Sequence, residues 1–221
     1  MLQRLDPKLS VLPAPQREIW PSLAPAAGLN LVLYRGTAVA LHLGHRISLD
    51  FDFFRSEPLD KDRVRSEFQF VNHAAILQDT PDTLVVLADV PSGSVKVSFF
   101  GGISFGRIND PLETSDGKLL VASLEGLLAT KLKAILDRAE AKDYIDIAGM
   151  ISAGTALPVG LSAFKKMFKG EPAQALRSIG YFEDGDLSAL SSADRKILRD
   201  ARDGVGRLPD VKLKPGLSAR G

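Results

Sequence analysis

YRGTAVALHLGHRISLDFDFF, residues 34–54, is the stretch on which the fold turns. The residues leading into it, LNLVLYR at 29–35, alternate apolar with β-prone side chains and predict a buried strand. Gly36-Thr37 interrupts the pattern and predicts a turn, with Thr37 suited to cap a helix. AVALHL then predicts a short helix, closed by Gly44 in the left-handed position after its last turn. ISLDFDFF, 47–54, predicts a second strand. Strand, tight turn, short helix and returning strand form an α/β unit.

Side chains alternate faces along a strand. Ser48, Asp50 and Asp52 therefore share one face of the second strand, and Leu49, Phe51 and Phe53 share the other, expected to be core. The two aspartates would lie ~7 Å apart at the backbone, close enough for their carboxylates to converge on one or two divalent ions. Like charges side by side repel unless something positive lies between them. Magnesium suits that place, because it prefers oxygen ligands and shares its shell with substrate phosphates. Taken alone, Asp-x-Asp fits the solvent face of an edge strand equally well. The turn adds context. A small-residue turn at a helix N-terminus offers free backbone N–H groups and a positive dipole end, which suit phosphate.

The rest of the chain extends this unit. DKDRVRSEFQF, within 59–70, predicts an amphipathic helix, and TLVVLAD (83–89) and SVKVSFF (94–100) predict two strands joined as an antiparallel hairpin through Pro91-Ser92-Gly93. After Gly117 the composition changes. Ser123-Leu124-Glu125 predicts the start of a helical run towards Met150, with further helices near 161–169, 172–179 and 192–203. The expected fold class is α/β (α+β): a mixed sheet with flanking helices over 1–117, a helical domain over 118–205 and a loosely packed tail over 206–221.

Composition is that of a globular protein, with 45% hydrophobic and 25% charged residues among 221. There are no cysteines, which excludes disulfides, thiolate nucleophiles and thiolate zinc sites and fits a reducing compartment. The formal net charge of +1 gives no global argument for nucleic-acid binding. The opening MLQRLDPKLSVLPAPQREIWPS has charges and prolines where a signal peptide needs an apolar run, and no stretch reaches the ~18 apolar residues of a membrane helix. A cytoplasmic protein with no membrane partner is expected.

Turn, helix and acidic strand together resemble the signature of the nucleotidyltransferase superfamily. More narrowly, the segment is similar to the AbiEii/AbiGii-type nucleotidyl transferase toxins. These usually show a Gly-Gly-Thr-Ala turn, then Leu-Gly-His-Arg, then Ser-x-Asp-x-Asp-Phe-Phe. The matching positions are Gly36, Thr37 and Ala38, then Leu43, Gly44, His45 and Arg46, then Ser48, Asp50, Asp52, Phe53 and Phe54. Arg35 stands where the family commonly has its first glycine; an arginine there either obstructs the approach of phosphate to the backbone or adds a phosphate-binding cation. The family also shows a helix with a Lys, then an Arg, then a Lys/Arg-Asp-x-x-Asp element, matched by Lys131, Arg138, Lys142, Asp143 and Asp146. Spacings of 7 and 4 put Arg138 and Lys142 each within about 20° of Lys131 on one helix face if the helix is continuous. A solvated charged face would show the same spacing.

The resemblance implies transfer of a nucleoside monophosphate from an NTP to an acceptor such as RNA, by a toxin whose antitoxin is a separate chain. In that reading Asp50 and Asp52 hold magnesium or manganese. Arg35, Gly36, Thr37, Arg46, Ser48, Arg138 and Lys142 bind the nucleotide. Lys131 neutralises developing charge, and Asp143 and Asp146 position these cations or help activate the acceptor. Polymerase-like relatives carry a third acid on a neighbouring strand, and SVKVSFF has none. That absence, with Arg35, supports the rival expectation of an inactive nucleotide- or protein-binding module.

Overall fold

The computed structural model of the protein describes residues 2–218. The strands are β1 (Arg4–Leu5), β2 (Val32–Tyr34), β3 (Asp50–Phe54), β4 (Ala75–Thr80), β5 (Thr83–Val90), β6 (Gly93–Phe100), β7 (Leu112–Thr114) and β8 (Leu120–Val121). They form one mixed sheet in the order β1-β7-β8-β2-β3-β6-β5-β4. Helices α1 (Ala14–Ile19), α2 (Pro25–Gly28), α3 (Arg35–Leu43) and α4 (Lys61–Glu67) accompany the sheet in sequence. Then come α5 (Leu124–Asp137), α6 (Ala141–Ser152), α7 (Leu157–Phe168), α8 (Pro172–Ile179) and α9 (Ser192–Asp203). The chain divides into two compact units. One holds the sheet: the chain up to Phe105, Asp110–Ala122 and the chain from Pro215 onward. The other, Gly106–Asn109 with Ser123–Lys214, holds α5 to α9. Among the described residues no helix is long and apolar enough to cross a membrane.

In the sheet unit, Val32, Leu33 and Tyr34 are all buried, as befits a strand paired on both edges. β2 runs antiparallel to β3 and parallel to β8. β3 in turn runs parallel to β6. Phe51, Phe53 and Phe99 are fully buried; Phe53 stacks on Phe51 at 6.4 Å and on Phe99 at 5.8 Å. These rings form the core face of the two strands that matter most for the site. The predicted hairpin is present: β5 and β6 are antiparallel, with Val90 opposite Gly93 around Pro91-Ser92.

Four expectations are corrected. The first helix begins at Arg35, so Thr37 lies inside its first turn and extended Tyr34 holds the cap position. The second strand begins at Asp50, and Leu49, expected in the core, is 60% exposed. Its carbonyl accepts from the Gln16 side chain, so a neighbouring helix holds that backbone and no strand does. The helical run from Ser123 breaks. Ser123 caps α5 by accepting from the Gly126 N–H at 3.3 Å, but Arg138 is extended (φ −157°, ψ 147°) and α6 starts at Ala141. Asp186 accepts the Ala141 N–H at 2.6 Å, capping α6 from a distant acidic turn. Finally, the tail is pinned as far as it is described. Ser162 Oγ donates to the Pro209 carbonyl at 2.7 Å, Lys214 bridges Arg107, and Leu217 is buried. Residues 219–221 lie outside the described residues.

Candidate active site

The acidic pair sits where period-two alternation put it, on the face of β3 opposite the phenylalanine core. The parallel register pairs this face with β6 step by step: Asp50 with Lys96, Asp52 with Ser98, Phe54 with Phe100. Lys96 Nζ lies 2.8 Å from Asp50 Oδ2. Arg35 Nη1 lies 3.4 Å from Asp52 Oδ1. Asp50 is 41% exposed, while the Asp52 side chain is 10% exposed. Burial pushes the Asp52 carboxyl above the usual carboxylate range. Arg35 opposes that rise, the neighbouring Asp50 charge adds to it, and the Ser98 hydroxyl and Lys96 oppose it. The ionised Asp52 is therefore short of positive charge, which a bound cation would supply.

Arg35 has a backbone φ of 59°, the left-handed region that glycine occupies without penalty. This explains why a first glycine suits the turn. The arginine is held in return by three partners. Its guanidinium lies over the Phe54 and Phe100 rings, at 5.4 Å and 5.0 Å, as well as beside Asp52. We expect Arg35→Gly to leave stability within about 1 kcal/mol of the parent, since relieved strain offsets lost contacts. Arg35→Ala keeps the strain and loses the contacts, so it should be less stable than Arg35→Gly by roughly 1 kcal/mol in urea unfolding. Equal stability of the two variants would refute the strain argument.

At the N-terminal turn of α3, Gly36 leaves room for Arg46. A methyl group on Gly36 would lie 2.6 Å from an Arg46 guanidinium nitrogen and 3.2 Å from Ser48 Oγ. Arg46, Ser48 and the Gly36 backbone thus meet at the start of the helix. Thr37 points inward. It is buried, its Oγ1 lies 2.8 Å from Ser48 Oγ, and it donates to the Asp50 carbonyl. Its hydroxyl ties helix to acidic strand.

In the helical unit the expected one-face stripe is replaced by a contact between two helices, because the helix breaks at residues 138–140. Lys131 on α5 inserts its ammonium between Asp143 and Asp146 of α6, 2.6 Å from an oxygen of each. Both aspartates are fully buried and Lys131 nearly so. Arg138 Nε donates to the other Asp143 oxygen at 2.9 Å. Burial is the largest single influence on Asp143 and pushes its carboxyl up. Lys131 and Arg138 together outweigh it, and the net shift is downward. Lys142, 54% exposed, joins this network only at its rim, through Glu140, whose carboxylate lies 2.7 Å from Lys142 Nζ and 3.5 Å from Arg138 Nη1.

Lys96 was not among the residues singled out from sequence. Its signal was the register between two strands far apart in the chain, which periodicity does not give.

The fold has known counterparts. An H. pylori protein of solved structure, described as a candidate nucleotidyltransferase, superposes with a TM-score of 0.56 at 17% identity, over 86% of this chain and 94% of that one. An uncharacterised protein of Aquifex aeolicus (strain VF5), aq_aa25, is 28% identical over 159 residues, 70% of this chain and 75% of its own. The model of the nucleotidyl transferase AbiEii toxins of type IV toxin–antitoxin systems matches residues 23–212, a span that includes the acidic strand, its turn and the Lys131 network. With this match over most of its length, the chain belongs to the AbiEii nucleotidyl transferase toxin family.

Proposed function

We propose that this protein transfers a nucleoside monophosphate from an NTP, bound with magnesium or manganese, to an acceptor hydroxyl, with RNA as the acceptor class. The observation that carries the proposal is the pair Asp50 and Asp52 on one strand face, the second of them desolvated and short of positive charge. The donor set fits a hard cation. Magnesium is commonly held by one or two carboxylates together with substrate phosphates, and two carboxylates are what β3 presents. Bound there, the metal would polarise the transferred phosphoryl group.

The chain's own residues do the rest. Arg46, Ser48 and the Gly36 backbone receive phosphate at the start of α3, with Thr37 holding Ser48 and the Asp50 backbone in place. Arg35 adds a fixed cation beside Asp52. The acceptor oxygen bonds to the α-phosphorus, its proton leaves to a base, and pyrophosphate departs. Within the helical unit, Lys131, Asp143 and Asp146 position Arg138, and Arg138 and Lys142 are half-exposed cations; the resemblance to the family is what assigns these residues to the nucleotide. As a toxin, the protein would act in the cytoplasm and be held in check by an antitoxin on a separate chain.

A second reading has its own observation. β6 offers Lys96 and Ser98 where a third acid would stand, which suits a module that binds nucleotide without transferring it. Incubation with each labelled NTP, magnesium and total cellular RNA separates the two. Metal-dependent incorporation of label into RNA is expected. Label that stays on nucleotide, with RNA and with protein acceptors alike, would leave only the binding module.

A further inference from the structure

Lys96 is locked into the acidic face by the sheet itself. It stands beside Asp50 in the β3–β6 register, with its ammonium 2.8 Å from Asp50 Oδ2, and both side chains are 41% exposed. Two aspartates on one strand face need a counter-charge to coexist ionised. Here Arg35 faces Asp52 and Lys96 faces Asp50, so each carboxylate has one cation of the protein beside it, and the more exposed Asp50 is the one matched by a direct ion pair at 2.8 Å. The two cations differ in kind. Arg35 is clamped over two aromatic rings, whereas a lysine ammonium is a point charge on a flexible stem.

A bare divalent ion arriving at Asp50 must displace the ammonium and leave it in a site of like charge. A metal that arrives on a triphosphate brings acidic oxygens to which the ammonium can turn. We propose that Lys96 is the resident counter-cation of Asp50, yielding that carboxylate to a metal–nucleoside triphosphate complex and moving onto its phosphates. The site then takes divalent metal with the nucleotide and not alone. This rests on the nucleotidyl-transfer reading and adds to it a specificity for the metal-loaded nucleotide. A cross-strand pair serving only the sheet would leave ligand binding unchanged.

The test titrates the full chain with Mn2+ alone, and separately with Mg2+ plus a non-hydrolysable NTP analogue, comparing wild type with Lys96→Met, Lys96→Gln and Lys96→Arg. Without nucleotide, the two neutral variants should bind Mn2+ about tenfold tighter than wild type, and Lys96→Arg should stay near wild type. With the metal–nucleotide complex, the neutral variants should bind about tenfold weaker. Opposite shifts in the two titrations are the signature. Lys96→Gln serves if the methionine variant does not fold. Unchanged or weaker Mn2+ binding in the folded neutral variants overturns the role of Lys96, whether or not transfer is observed. Opposite shifts without any transfer overturn the enzymatic reading and leave Lys96 as proposed.

Discussion

Asp52→Asn is expected to lower the proposed nucleotidyl transfer by about 10²–10³-fold while the folded protein becomes no less stable. The first half follows from the proposed role: losing one of two carboxylates removes charge at the place where metal and phosphate meet, and such electrostatic losses reach on the order of 10²–10³ in rate. The second half follows from burial. The Asp52 carboxyl is raised above the usual carboxylate range chiefly by desolvation, so its ionised form is held at a penalty. The folded state keeps the Asp52 proton to higher pH than the unfolded chain does. Stability contributed at this position therefore falls as pH rises from the ordinary carboxylate value through the raised one, and stays lower above it. Asparagine is nearly isosteric, retains an oxygen for Arg35 and Ser98, and has no charge to desolvate. Transfer in the wild type should rise with pH over the same window, because only the ionised form holds a cation. Transfer assays beside thermal melts from pH 4 to 8 measure both halves. Transfer within a few-fold of wild type would remove Asp52 from the chemistry, and a large drop in melting temperature would make it a structural residue.

What could be read from the sequence was local. Asp50 and Asp52 share a face because strand period is two, and Gly44 ends a helix because it tolerates a left-handed backbone (φ 68°). The hairpin at Pro91-Ser92 was legible for the same reason. Lys96 was not, since its place beside Asp50 depends on a parallel register that no short-range pattern encodes. β4 escaped notice because it is an edge strand exposed at every residue, with a bulge between Ile76 and Gln78 that spoils its alternation. The Lys131 stripe failed for an instructive reason. Helical spacing presumed continuity through 138–140, but the break is fixed from far away, by Asp186 on the Ala141 N–H and by Gly185 (φ 54°) packed against the Ala139 carbonyl. Of the residues that resemblance had grouped, Lys131, Arg138, Asp143 and Asp146 do meet, across a helix break and not on one helix face, and Lys142 reaches them only through Glu140.

That meeting sets the second large effect: Lys131→Met should destabilise the protein by about 3–5 kcal/mol. The ammonium is the cation that Asp143 and Asp146 share, and both carboxylates are fully buried. Removing one partner from a buried ionic network strands the others without compensation, whereas replacing the whole network by apolar groups is often tolerated. Asp143 keeps Arg138 when Lys131 is lost, whereas Asp146 loses the ammonium 2.6 Å from its Oδ2. Lys131→Met/Asp146→Leu should therefore recover much of the stability lost by Lys131→Met alone, and urea unfolding of the four corners of that cycle measures the coupling. The pH dependence carries a matching sign. The Asp143 carboxyl is held below its ordinary value, so its contribution is complete above the unfolded carboxylate value and is lost as pH falls through the lowered one. Lys131→Met should shrink that acid-side loss. A cost under about 1 kcal/mol for Lys131→Met would show that the network is not structural in the sense argued. The double variant also separates packing from chemistry. If it folds with near-parental stability yet transfers no nucleotide, Lys131 and Asp146 act in the reaction as well as in the fold; if transfer returns with stability, their role is structural.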